Sequence, residues 1–139
     1  MAKAFMYATN TTQQTLTGGG SVDFGNAIHG FGCTGCKRTI DVNGNNIILN
    51  DGGYYVIAIG ATVTDSAAGT VTLQVYQDGT PIPGAITAVN IGVANDAASV
   101  AIPFGVKVAN CSSSIITLVA TTTAGNVIIS NVTTPVLKA

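Results

Sequence analysis

The chain has 139 residues, a formal net charge of −1 and 8% charged residues, about a third of the share typical of globular proteins. This composition argues against a nucleic-acid-binding protein, because five Lys and Arg residues are too few to form a basic face. It also argues against intrinsic disorder, and no apolar run approaches the ~20 residues that cross a bilayer. We expect a single domain spanning residues 1–139.

Short segments with a period of two, bounded by Gly, Asn and Asp, recur along the whole chain and predict an all-β protein. No segment combines helical spacing with helix caps, and no repeat of fixed length is present. This pattern favours one antiparallel β-sandwich over a propeller or a solenoid. In chain order, the predicted strands are 4–8, 21–24, 47–49, 54–64, 70–77, 80–89, 97–102, 115–122 and 127–136.

The clearest single signal is the hairpin TVTLQVYQDGTPIPG at residues 70–84. Its first strand alternates aliphatic and polar residues, which predicts one buried face. Asp78-Gly79 tolerates positive φ at both central positions of a type I′ turn, so the chain is expected to reverse there. Pro81 and Pro83 lack a backbone N–H, so the returning strand is expected at a sheet edge or with an irregular start.

Residues 27–37, AIHGFGCTGCK, show neither the apolar period of a strand nor that of a helix. They contain the only histidine and two of the three cysteines. His29, Cys33 and Cys36, together with the distant Cys111, could in principle supply a Cys₃His zinc site. A full zinc signature has a second cysteine pair at a defined spacing, and this sequence lacks it. We therefore predict no metal or cofactor, and we interpret the Cys-x-x-Cys as a Gly-rich turn whose thiols are either free or bridged.

Catalytic constellations are also missing from the sequence. There is one histidine and no G-x-S-x-G nucleophile elbow. All six acidic residues are Asp at predicted turns, where turn hydrogen bonds explain them better than a pair of catalytic carboxylates does. The GGG at residues 18–20 lacks the Lys and the following helix of a phosphate-binding loop. The sequence therefore predicts a protein that is not an enzyme.

Four segments in order carry a resemblance to a known family. GYYVI opens the long strand at Gly53, the DG hairpin follows, and AASVAIPF and ITLVATTTAGNVIISNVTTPVLK complete the series. Over nearly the whole chain, this order resembles the trimeric jelly rolls of the tumour necrosis factor and complement-head superfamily. Within that group the chain is most similar to head-decoration and head-fibre proteins of tailed phages, and to carboxy-terminal domains of collagen-like spore-surface glycoproteins of Firmicutes. No Gly-X-Y stalk precedes the domain, which favours the phage group.

The resemblance implies a homotrimer in which the strand that Gly53 opens has one face in the core and the other against neighbouring subunits. A register shift of one residue would exchange the two faces. Burial of an apolar flank by threefold packing would also explain the low charge. The side chains expected in the core are Tyr55, Ile57 and Ile59. The side chains expected at the threefold contact are Tyr54, Val56 and Ala58.

The resemblance also implies a function in assembly. We expect a phage virion structural protein, made in the cytoplasm of a bacterial host and located on the capsid surface as a decoration or head-fibre protein. Its expected partners are further copies of the chain and phage capsid proteins, with a host-surface glycan as a further candidate and no nucleic acid or membrane. A receptor- or glycan-binding tip of a tail fibre and a spore-surface adhesion domain remain as alternatives.

Overall fold

The computed structural model describes residues 3–17, 19–34 and 37–139. These residues form strands and loops, and they contain no helix that could cross a bilayer. The shorter strands come first along the chain and the longest ones later. In chain order the strands are β1 Ala4–Asn10, β2 Gln14–Leu16, β3 Gly19–Ser21, β4 Asn26–Phe31, β5 Cys33–Thr34, β6 Lys37–Arg38, β7 Ile40–Asn43, β8 Asn46–Leu49, β9 Gly53–Asp65, β10 Gly69–Gln77, β11 Thr80–Ile91, β12 Ala97–Val108, β13 Ser114–Thr122 and β14 Val127–Lys138.

Two antiparallel sheets form a sandwich. Sheet A has the strand order β12-β9-β14-β1-β4, and β2 pairs with the start of β14. Sheet B has the order β11-β10-β13-β8-β7, and β3 pairs with β13. A small separate hairpin joins β5 to β6. Neighbours in each sheet are mostly distant in sequence, as in a jelly roll, so the predicted all-β antiparallel sandwich is confirmed.

The core lies between the facing sides of the two sheets, and alternation along each long strand determines which side chains enter it. In β9, Tyr55, Ile57 and Ile59 are at most 1% exposed, whereas their neighbours on the other face remain accessible. The predicted core face of this strand is therefore the observed one. The largest apolar side chains of the core also include Phe24, Met6, Leu73, Leu118 and Ile129.

The hairpin of β10 and β11 forms as the sequence predicts. Asp78 and Gly79 have φ values of 53° and 83°, as a type I′ turn requires. The strand with the two prolines, β11, lies at the edge of sheet B. Its pairing with β10 shifts between Gln74 and Tyr76, which is the irregular start that Pro81 and Pro83 predicted.

Several short strands were not predicted. These strands show little alternation of apolar and polar residues, and they are β2, β4, β5, β6 and β7. β4 in particular is exposed along most of its length. The strand predicted at 21–24 is wrong in its extent, because β3 ends at Ser21 and the amide of Asp23 bonds to the Gln14 side chain instead of to a neighbouring strand. β12 continues beyond its predicted end through Pro103, which an edge strand tolerates.

Candidate functional site

The histidine and cysteines singled out in the sequence are not brought together. His29 is exposed on β4 and Cys33 is exposed on β5, while Cys111 is exposed after β12 with a φ of 60°. β4 and β12 are opposite edges of sheet A, separated by four strand spacings or roughly 19 Å. Cys33 and Cys111 are free thiols. Cys36 lies outside the described residues, and among the described ones no three His, Cys, Asp or Glu side chains are placed to hold a metal.

The outward face of β9 carries the three residues predicted for the subunit contact. Tyr54 is 60% exposed and Val56 is 56% exposed, and Ala58 is also exposed. Lys107 of the neighbouring β12 lies with its Nζ 5.8 Å from the centroid of the Tyr54 ring, a cation–π distance. Their exposure in a single chain makes all three available for a contact, and the contact itself stays a prediction.

Strand register extends this face into an apolar row that crosses sheet A from edge to edge. Val56 lies opposite Gly105 on one side and opposite Leu137 on the other, and Phe5 connects Leu137 to Phe31. Leu137 is 46% exposed and Phe31 is 61% exposed. The rings of Phe5 and Phe31 stack with centroids 6.4 Å apart. We call Gly105, Val56, Leu137, Phe5 and Phe31 the apolar row.

A second row runs beside the apolar row. Ala58 lies opposite Pro103, and on β1 Tyr7 lies between Pro135 and His29. Among the outward positions of β12, β9, β14 and β1, Lys107 is the one that carries a charge. Sequence reasoning found the β9 part of this face. It missed Leu137 and Phe31, because only the pairing of distant strands places them beside Val56.

A second weakly charged surface lies at the edge of the sandwich formed by β11 and β12, which are in contact with each other. Residues 80–95 and 97–106 contain no charged side chain. Ile86 of β11 is 51% exposed there. We call this surface the β11–β12 edge.

An ion pair between a buried lysine and a half-buried aspartate fixes the end of the chain to the loop before β9. Lys138 Nζ lies 2.6 Å from Asp51 Oδ2, and the side chains are 2% and 34% exposed. The Tyr55 hydroxyl donates a hydrogen bond of 2.7 Å to the carbonyl oxygen of Asp51. Burial, and then the nearby Asp51 carboxylate, raises the pKa of Tyr55 above its usual value. Sequence reasoning assigned Asp51 to a turn and missed its partner 87 residues away.

A buried carboxylate connects loops at the other end of β9. Asp65 is fully buried and accepts hydrogen bonds from the Thr122 hydroxyl and from the backbone N–H of Ala67. A Cβ added at Gly125 would lie 2.7 Å from Asp65 Oδ1, so the turn before β14 packs directly on this carboxylate. The arrangement explains the buried Asp as a structural hydrogen-bond acceptor.

No protein-family model matches the sequence, and no curated protein matches it. Solved structures do match the fold. The crystal structure of murine APRIL at pH 5.0 superposes with a TM-score of 0.66 at 10% identity, covering 99% of this chain and 100% of that one. The structure of Eiger TNF from S. frugiperda gives a TM-score of 0.63 at 11% identity, covering 99% and 91%. The chain therefore has the jelly-roll fold of tumour necrosis factor-like proteins.

Proposed function

We propose that the protein is a homotrimeric structural protein of a phage virion that decorates the capsid surface or forms a head fibre, and that it has no enzymatic activity. The apolar row is the observation that carries the trimer. A monomer exposes single apolar side chains at scattered positions, whereas here they form one continuous line across the four strands β9, β14, β1 and β4. A second copy of the chain is the proposed occupant of this face.

A ring of three copies needs two different surfaces on each subunit, because a threefold contact is head-to-tail. The outward face of sheet A supplies the first surface. The β11–β12 edge supplies the second, since it is uncharged and has an exposed Ile86. Lys107, which lies over the Tyr54 ring, is the one charged side chain among the outward positions of β12, β9, β14 and β1, and residues 80–95 and 97–106 carry no charge. Contact between them would bury apolar side chains, and Lys107 would be the one charged side chain of these positions at the contact.

Composition and fold together support a location on a particle. The low charge suits a surface covered by neighbouring copies and by capsid protein. A trimer of sandwiches would also resist unfolding outside the cell, because subunit dissociation and unfolding are coupled.

Two measurements test this proposal. Native mass spectrometry of the intact protein should give three times the 13.9 kDa chain mass without added metal. A monomer or a metal-loaded species would refute the assembly. For the virion, we expect the protein to co-sediment with phage particles from producing cultures and to be labelled by antibody on the outside of the capsid. A trimer found in the soluble fraction and not on phage particles would support the proposed assembly and contradict the proposed virion function.

A further inference from the structure

A polar pocket of about 370 Å³ lies near the ends of β1 and β4, away from the apolar row. It is formed by the end of β1, the start of β2, the loop between β3 and β4, and the turn between β7 and β8. No side chain in its lining is apolar and none is basic. The lining residues are Asn10, Thr12, Gln14, Asp23, Gly25, Asn26 and Gly44.

Hydrogen bonds hold the centre of this pocket in place. Gln14 pairs with the backbone of Asp23 in both directions, because its Nε2 donates to the carbonyl at 3.0 Å and its Oε1 accepts from the N–H at 2.8 Å. Asn10 Nδ2 donates to the same carbonyl at 3.0 Å. Phe24, the next residue, is fully buried, so it anchors the loop in the core. The pocket is thus formed before any ligand arrives.

The turn at Gly25 adds to this rigidity. Gly25 has a φ of 83°, and a Cβ added there would lie 2.2 Å from the carbonyl oxygen of Thr9. Its N–H donates to Asp23 Oδ1 at 2.8 Å. The second carboxylate oxygen, Oδ2, has no partner among the described residues.

The polar groups that remain free include both donors and acceptors. Asn10 and Gln14 each keep one amide hydrogen, since each nitrogen has two and donates one. Thr12 keeps its hydroxyl, because only its backbone N–H is engaged, with Asn10 Oδ1 at 2.9 Å. Asp23 Oδ2 is a carboxylate acceptor, and its negative charge strengthens a hydrogen bond that a hydroxyl donates to it. The matching ligand carries several groups that both donate and accept.

This pattern distinguishes between ligand classes. An anion would find no basic residue and one carboxylate in the lining. A calcium ion takes six to eight oxygen ligands, and here the amide oxygens of Asn10 and Gln14 already accept backbone N–H groups. An apolar ligand would find no apolar side chain. We propose that this pocket binds the ring hydroxyls of an uncharged saccharide, a site that is independent of the subunit contact.

An NMR titration of the ¹⁵N-labelled protein tests the proposal with galactose, mannose and N-acetylglucosamine as probes, each to about 50 mM, which populates a site with a Kd in that range. We expect at least one sugar to shift the amide signals of Asp23, Gly25 and Asn26 with saturation. Asp23→Asn retains the acceptor for the Gly25 N–H and loses the charged acceptor, so it should weaken binding about tenfold or more. Thr12→Ala, an exposed change that leaves the backbone intact, should also weaken it.

The matched control is Asp96→Asn, which removes an exposed carboxylate from the loop between β11 and β12 and should leave the affinity unchanged. The proposal is overturned if none of the three sugars shifts these amides, or if Asp23→Asn and Thr12→Ala both bind as tightly as the wild type. It is also overturned if calcium chloride alone gives the saturating shifts and the sugars do not. Because these signals report on the pocket alone, the result is separate from the oligomeric state.

Discussion

Val56→Asp is the most direct perturbation of the proposed trimer. Full burial of a valine side chain stabilises by about 1.5–3 kcal/mol, and 56% of Val56 is still exposed in the single chain, so a contact would gain about 1 kcal/mol from it. The Asp would lose this gain and add a carboxylate that must be desolvated at the contact, at about 2 kcal/mol or more. Three copies together lose roughly 9 kcal/mol, or about six orders of magnitude in the association constant.

Sedimentation velocity across a range of protein concentrations would measure this effect. We expect the wild type to remain trimeric and Val56→Asp to sediment as a monomer or to precipitate. The matched control is Thr121→Asp, which places the same charge on an exposed position in the outward face of sheet B and should leave the trimer intact. If Val56→Asp remained a trimer as stable as the wild type, the outward face of β9 would not be the contact.

Three further predictions concern stability, each read from denaturant unfolding. The hydroxyl of Thr134 is buried without a hydrogen-bond partner, so Thr134→Val should stabilise the fold by about 1 kcal/mol, and a lower midpoint would show that the hydroxyl has a function in the core. Because the pKa of Tyr55 is raised in the folded state, its contribution to the free energy of unfolding is present below about pH 10 and is lost as the pH rises through the folded-state pKa. Tyr55→Phe should therefore reduce the loss of stability at alkaline pH, and an unchanged dependence of stability on pH would contradict the assignment. Gly25→Ala should lower the free energy of unfolding by at least about 2 kcal/mol more than Gly79→Ala does. Both glycines have a φ of 83°, but only at Gly25 would the new Cβ collide with a carbonyl oxygen. Equal losses of stability in the two variants would contradict this close approach.

The parts of this fold that depend on neighbours in sequence could be predicted from the sequence. Alternation is a local property, so it identified the long strands and the buried face of β9, which includes Tyr55. The Asp78-Gly79 turn was predictable for the same reason, since positive φ is a preference of these residue types. The two prolines identified an edge strand because a missing N–H is a property of the residue itself.

The features that join distant segments needed the tertiary structure. Val56, Leu137 and Phe31 form one row only because β9, β14, β1 and β4 pair in a particular order and register, which no local pattern encodes. The short strands β4 to β7 have too few alternating positions to give a signal.

The candidate sites follow the same division. The sequence around Lys138 does not predict that this lysine is buried, because its burial depends on the ion pair between its Nζ and Asp51 Oδ2, 2.6 Å away. The polar pocket likewise combines residues of β1, β2, β4 and three loops, each of which is ordinary by itself. The sequence by itself determined the long strands, the buried face of β9 and the Asp78-Gly79 turn, since those follow from side-chain periodicity and backbone preference. Only the tertiary structure decided which surfaces and polar groups meet, because strand pairing acts between residues that are far apart in the chain.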